Sequence, residues 1–197
     1  VKDRYCIAIF HPETENPRDA YRQTKIVLES VINYCLEHKT KCHWFWPNPD
    51  PGREKIAELL ELAEKEYGAV LIRAKNRTPD EFLHFLASAQ FIVGNSSCGI
   101  REAGFIGVPA INIGSRQKMR QRPASVKDVD YGHDSITQAM IYQNKVGKYD
   151  KNHMYGDGKS SENIADFIAN MELSIKGVSW YPFAPEVIYK HLGGGML

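Results

Sequence analysis

The chain has 197 residues, 43% of them apolar and 25% charged, which suffices for one globular domain with a real core and an appendage. Its net charge of +1 gives no broad electrostatic footprint, so neither nucleic acid nor an anionic membrane surface is expected as a partner. The longest apolar runs are strand-sized, well short of the roughly 20 residues that span a bilayer, and no opening segment has the pattern of a secretory signal.

Tyr5-Cys6-Ile7-Ala8-Ile9-Phe10 reads as a buried first strand, stopped by His11-Pro12. Asn16-Pro17 opens a long helix, with proline at an early position where its missing N–H costs nothing. Tyr21, Ile26, Val27, Val31, Ile32 and Cys35 mark the face expected to pack on a sheet. Cys42-His43-Trp44-Phe45-Trp46 is a second strand, ended by the turn Pro47-Asn48-Pro49-Asp50-Pro51-Gly52. Residues 53–67 form a second helix and Ala69-Val70-Leu71-Ile72-Arg73 a third strand. Thr78 caps a third helix, with Glu81 three residues on completing a capping box.

Ala89-Gln90-Phe91-Ile92-Val93 and Ala110-Ile111-Asn112-Ile113 are the fourth and fifth strands. A short sixth strand at 125–129 and helices at 135–143 and 161–171 follow. This alternation specifies a doubly wound Rossmann-like α/β domain with a mainly parallel sheet. In such sheets ligands sit beyond the carboxyl ends of the strands. His11, Asn48, Lys75, Arg77, Ser96, Ser97 and Arg116 all fall at such ends. The segment after Met171 is aromatic and irregular around Trp180, Tyr181 and Phe183. It is expected to form a tail, 173–197, that packs on another surface, leaving 1–172 as the Rossmann-like unit.

The chemistry concentrates between the fourth and fifth strands. Gly94-Asn95-Ser96-Ser97 turns from a buried strand into a helix, leaving backbone N–H groups free beside two hydroxyls. That arrangement suits a phosphate, although one hydroxyl at a helix start is also an ordinary cap. Glu102, early in that helix, is either a solvated first-turn carboxylate or an acceptor for two ribose hydroxyls. Arg116 comes directly off the fifth strand and could offer its fork to a base or phosphate; Arg120 is the weaker candidate of the pair. His11 is either a ligand contact and proton donor or a structural histidine. His43 and His84 lie in apolar patterns and are expected to pack. Cys98 has no evident base partner and is read as a packing residue. The four cysteines, Cys6, Cys35, Cys42 and Cys98, lack zinc spacing and point to reduced thiols in a cytoplasmic protein.

The runs Gly94-Asn95-Ser96-Ser97-Cys98-Gly99-Ile100-Arg101-Glu102 and Gly107-Val108-Pro109-Ala110-Ile111-Asn112-Ile113-Gly114-Ser115-Arg116-Gln117 carry a specific resemblance. Together with His11-Pro12, Pro47-Asn48-x-Asp50-x-Gly52 and Tyr155-Gly156-Asp157-Gly158, they resemble the carboxyl-terminal domain of UDP-N-acetylglucosamine 2-epimerases. The match is to the hydrolysing branch, including the epimerase part of the bifunctional sialic-acid enzyme. The non-hydrolysing branch usually has an Asp-Ser-Gly-Gly type of turn at this place.

This resemblance implies one half of a glycosyltransferase-B-like arrangement, with a UDP-sugar in the cleft between two Rossmann-type domains. Carried over by position, Ser96 and Ser97 would bind the diphosphate, Glu102 the ribose and Arg116 the UDP portion. Arg77 would sit in the base-contacting loop, Asn48 in the substrate site, and His11 would face the diphosphate or sugar as the catalytic candidate. The chemistry implied is elimination of UDP across C1–C2, then addition of water with inverted C2, giving UDP and N-acetylmannosamine for sialic-acid or amino-sugar synthesis. It calls for no cofactor and no metal. The acids and bases for the C2 proton are expected on an amino-terminal Rossmann domain missing from these 197 residues, and the full-length form is expected to be a homo-oligomer.

Two departures stand out: Met119 replaces a glycine usual in the family's Arg-Gln-x-Gly-Arg run, and the tail is unlike the family. A related UDP- or GDP-linked amino sugar therefore stays open as substrate. Two other functions fit the same residues: the donor-binding domain of a glycosyltransferase, or a stand-alone nucleotide-sugar-binding module without catalysis.

Overall fold

The protein is described by a computed structural model over residues 4–13 and 17–171; the expected tail lies outside the described residues. The chain divides into two compact units, Val1–Gly156 and Asp157–Leu197.

The first unit is an α/β domain around a six-stranded sheet. Its strands are β1 Tyr5–Ile9, β2 Lys41–Phe45, β3 Leu71–Ala74, β4 Ile92–Gly94, β5 Ala110–Ile113 and β6 Val126–Val129. Their order is β3-β2-β1-β4-β5-β6 and every neighbouring pair is parallel. The order reverses between β1 and β4, the switch point where a doubly wound sheet opens a crevice. In register, Ile9 lies beside Gly94, so the first histidine loop and the serine turn leave the sheet side by side.

The helices are α1 Ala20–His38, α2 Arg53–Tyr67, α3 Pro79–Ser88, α4 Glu102–Ile106 and α5 His133–Val146. Alternation along β1 feeds two cores. Cys6, Ala8 and Phe10 join residues of α1, α2 and α5, whereas Ile7 and Ile9 join Leu86 of α3 and Ala103 of α4. Burying each such large aliphatic side chain contributes roughly 1.5–3 kcal/mol.

Local signals act as the pattern requires. Thr78 accepts from the Glu81 N–H at 3.4 Å and the Glu81 carboxylate accepts from the Thr78 N–H at 3.0 Å, the expected capping box. Two expectations about helix faces fail: Tyr21 is 44% exposed on α1, and His84 is exposed on α3 with its Nδ1 2.8 Å from the Asp80 carbonyl oxygen. His43 does pack, edge-on against Tyr5 and Phe85.

The second unit is described through α6, Ser160–Asn170, whose Ile164, Phe167 and Ile168 form an exposed stripe. Among the described residues no helix is long and apolar enough to cross a membrane.

Candidate functional site

Gly94 ends β4 at φ +137°, and a Cβ there would lie 2.0 Å from the Ile9 carbonyl oxygen. Only glycine lets β4 run this close to β1 and still turn outward. The next residues do not enter a regular helix. Ser97–Gly99 is a 3-10 turn, and α4 proper spans only Glu102–Ile106 before Gly107 and Pro109. Among the described residues the N–H groups of Ser96 and Ser97 find no backbone acceptor, the Cys98 N–H turns to its own thiol, and the Ser96 and Ser97 carbonyls accept from Gly99, Ile100 and Arg101. Free donors and two half-buried hydroxyls therefore line the mouth of β4.

Asn95, fully buried, organises what surrounds them. Its Oδ1 accepts from the His11 N–H and its Nδ2 donates to the His11 carbonyl, both at 2.8 Å. Its own carbonyl accepts from Gln117 Nε2 at 2.9 Å and Arg116 Nη1 at 3.4 Å. Arg116 Nη2 also faces Asp50 Oδ2 at 3.5 Å. The Asn48 N–H donates to His11 Nδ1 at 3.0 Å, so the neutral ring carries its proton on Nε2. The structure thus brings His11, Asn48, Arg116 and the serine turn together. Glu102 belongs to the same corner: its charge bears on Cys98, whose Sγ donates to Ser96 Oγ at 3.3 Å. Glu102 Oε2 and Gln117 Oε1 are buried acceptors without a hydrogen bond among the described residues, leaving acceptor capacity for a ligand.

Arg77 is set apart from this cluster. Its guanidinium lies 4.2 Å from the centre of the Phe85 ring and lines a cavity of about 850 Å³ with Tyr5 and His84, on the face that α3 covers. Sequence reasoning missed the organising role of Asn95, and missed Asp50 and Gln117 as partners of Arg116 and Asn95. Asn95 and Asp50 do stand inside the motifs that carried the family resemblance.

Burial, then the Arg116 charge, push the His11 pKa down to about 4, with Asp50 opposing. Burial pushes the Cys98 thiol up to about 11, in keeping with a packing role. The depressed histidine has a linkage consequence. Between its ordinary value of 6.5 and about 4, the unfolded chain holds a proton that the folded chain refuses. Stability is therefore full above pH 6.5 and falls with pH through that window, by roughly 3 kcal/mol in total. In His11→Asn, whose Oδ1 can still accept from Asn48, urea midpoints should lose most of that dependence. An unchanged pH profile would mean that His11 titrates normally.

Met119 shows a cost of the site's loop. It sits at φ +70° with its side chain 94% exposed. A left-handed non-glycine residue costs about 1–2 kcal/mol, less the extra chain entropy that glycine would lose. Met119→Gly should raise the urea unfolding free energy by about 0.5–1 kcal/mol; a loss of stability would show that the Met119 side chain makes a compensating contact.

Among the described residues no group of three or more His, Cys, Asp or Glu could hold a metal ion. The model of the family described as UDP-N-acetylglucosamine 2-epimerase matches residues 1–169. The chain belongs to that family. An epimerase of Legionella pneumophila named UDP-N,N'-diacetylbacillosamine 2-epimerase (hydrolyzing) is 31% identical over 170 residues, covering 86% of this chain and 44% of the relative. The UDP-N-acetylglucosamine 2-epimerase of Neisseria meningitidis is 33% identical over 178 residues, again 86% of this chain and 44% of its own length. This epimerase-family chain thus spans under half the length of these relatives. The fold also matches the Methanocaldococcus jannaschii UDP-GlcNAc 2-epimerase in complex with UDP-GlcNAc and UDP (TM-score 0.66, 16% identity), over 86% of this chain and 46% of that one. At such identity the likeness concerns the fold.

Proposed function

We propose that this chain is the nucleotide-holding half of a hydrolysing UDP-N-acetylglucosamine 2-epimerase, releasing UDP and N-acetylmannosamine. The observation that carries the reading is the convergence on Asn95: free amides and hydroxyls at Ser96 and Ser97, the Arg116 guanidinium, and a neutral His11. Growing charge on a departing diphosphate is what such preorganised donors stabilise. Arg116 supplies a fixed cation, and His11, with its proton on Nε2, donates a neutral hydrogen bond to a phosphate or sugar oxygen. Asn48 acts one step back, through the backbone N–H that fixes this tautomer. The unpartnered Glu102 Oε2 takes the ribose hydroxyls, and the backbone of the Arg77 loop takes the base.

Relatives named as hydrolysing enzymes, from L. pneumophila and Campylobacter jejuni, support the hydrolysing type. Their names also keep a diacetylated amino sugar in view as substrate. On this reading residues 1–172 hold the nucleotide, 173–197 pack on another surface, and a second Rossmann-type domain supplies the groups that handle the C2 proton. The full protein works in the cytoplasm as a homo-oligomer. Calorimetric titration of the 197-residue chain should show saturable, weak UDP binding that exceeds GDP and UMP binding, with no turnover of UDP-N-acetylglucosamine. Absence of UDP binding would refute the nucleotide role, and turnover by this chain alone would refute its being half of the enzyme.

A further inference from the structure

Glu13, two residues past His11, has no role in the reading above, yet its carboxylate is fully engaged. Oε1 accepts from the Ser115 N–H at 2.9 Å and from the Tyr131 hydroxyl at 2.8 Å, and Oε2 accepts from Ser115 Oγ at 3.3 Å. Glu13 follows β1, Ser115 follows β5 and Tyr131 follows β6. One side chain therefore ties three strand ends together. The surroundings are shaped for this tie. A Cβ on Gly114 would lie 2.5 Å from both Glu13 Oε1 and the Tyr131 hydroxyl oxygen, so the pair occupies space that any other residue would fill. Phe10 seats the Tyr131 ring edge-on at 6.2 Å. Burial, then Glu13, hold the Tyr131 hydroxyl far above its ordinary pKa, so it remains a donor.

A carboxylate beside an anion site is electrostatically unfavourable unless it does something else. This one has its donors already and is not spare capacity for a phosphate. It stands between the two groups whose mutual placement matters: His11 lies two residues before it, and Arg116 is the neighbour of the Ser115 it holds. Asn95 joins those two loops through one residue, its side chain on His11 and its carbonyl on Arg116 and Gln117. Loops tied only through Asn95 can still pivot about it, and a separate tie at Glu13 removes that freedom.

Resting on the nucleotide-holding reading, we propose that Glu13 is a positioning residue: it fastens the loop after β5 to the loop after β1 and so holds Arg116 and His11 in the mutual placement that grips a diphosphate. The test compares Glu13→Ala, Glu13→Gln and Tyr131→Phe with the unaltered 197-residue chain, by UDP calorimetry and by hydrogen exchange at the Ser115 amide. Glu13→Ala should bind UDP about tenfold more weakly, roughly the loss of one hydrogen-bonded tie, and exchange the Ser115 amide at least about tenfold faster. Glu13→Gln keeps an oxygen for Ser115 and Tyr131 and should recover affinity to within about threefold. Tyr131→Phe should fall between them. Wild-type affinity in Glu13→Ala, or a glutamine variant as weak as the alanine one, would overturn the assignment. If the unaltered chain does not bind UDP, the nucleotide reading itself has failed. The tie is then judged by Ser115 exchange and the His11 NMR titration: both changed in Glu13→Ala supports it, and either unchanged overturns it.

Discussion

Gly94→Ala should cost this protein about 3–5 kcal/mol, a sum of left-handed backbone strain and a forced shift in packing. The added methyl would meet the Ile9 carbonyl oxygen at 2.0 Å, and that oxygen belongs to the strand paired with β4. No flexible side chain can move aside to absorb the clash. Relief requires β1 and β4 to part at the centre of the sheet, where the Asn95 N–H also bonds the same Ile9 oxygen at 3.1 Å. Such a loss is a large fraction of the stability of an ordinary domain. Urea unfolding should show a collapsed midpoint or a chain that stays in the insoluble fraction. A variant as stable as the parent would mean that β4 does not end in this conformation.

The second large effect separates the phosphate from the ribose. Arg116→Ala should weaken UDP binding by about 10- to 100-fold, the range for a hydrogen bond to a charged group. It also leaves Asp50 without its cationic partner beside the incoming anion. Inorganic pyrophosphate should lose comparable affinity, since it presents the same charge. Glu102→Ala should behave differently: about tenfold weaker binding of UDP, but little change for pyrophosphate, which has no ribose. Calorimetry with both ligands on both variants decides the matter. Equal losses for both ligands in Glu102→Ala would remove that carboxylate from any ribose-binding role.

Much of this architecture is legible in the chain because it is written locally. A short run buried at every position places β5 at Ala110–Ile113, period-3.6 spacing places α2 at Arg53–Tyr67, and the Thr78–Glu81 box marks where α3 begins. What escapes local reading is which side of a helix finds the sheet, hence exposed Tyr21 and His84. The turn after Ser97 is also shorter and tighter than a simple helix start: a 3-10 turn ending at Gly99 precedes α4, which closes at a left-handed Gly107. The residues that organise the site were hidden for another reason. Asn95 meets His11 across 84 positions, Glu13 meets Ser115 across 102 and Tyr131 across 118. A neighbourhood of ten residues marks the turn that holds Asn95 but not the partner its side chain takes, and it marks Glu13 and Tyr131 not at all. Their meaning arises only when the sheet order brings the strand ends together.

The double contact of Asn95 with the His11 backbone resembles one peptide group addressing another: a carboxamide offers an acceptor and a donor where a neighbouring strand would otherwise do so. The main chain at His11 is thereby immobilised as if the ladder ran one rung further, and the Asn48 N–H holds the imidazole as well. A floor built this way arrives rigid before its guest does. Improvements in grip would have to come from whatever closes over it from above.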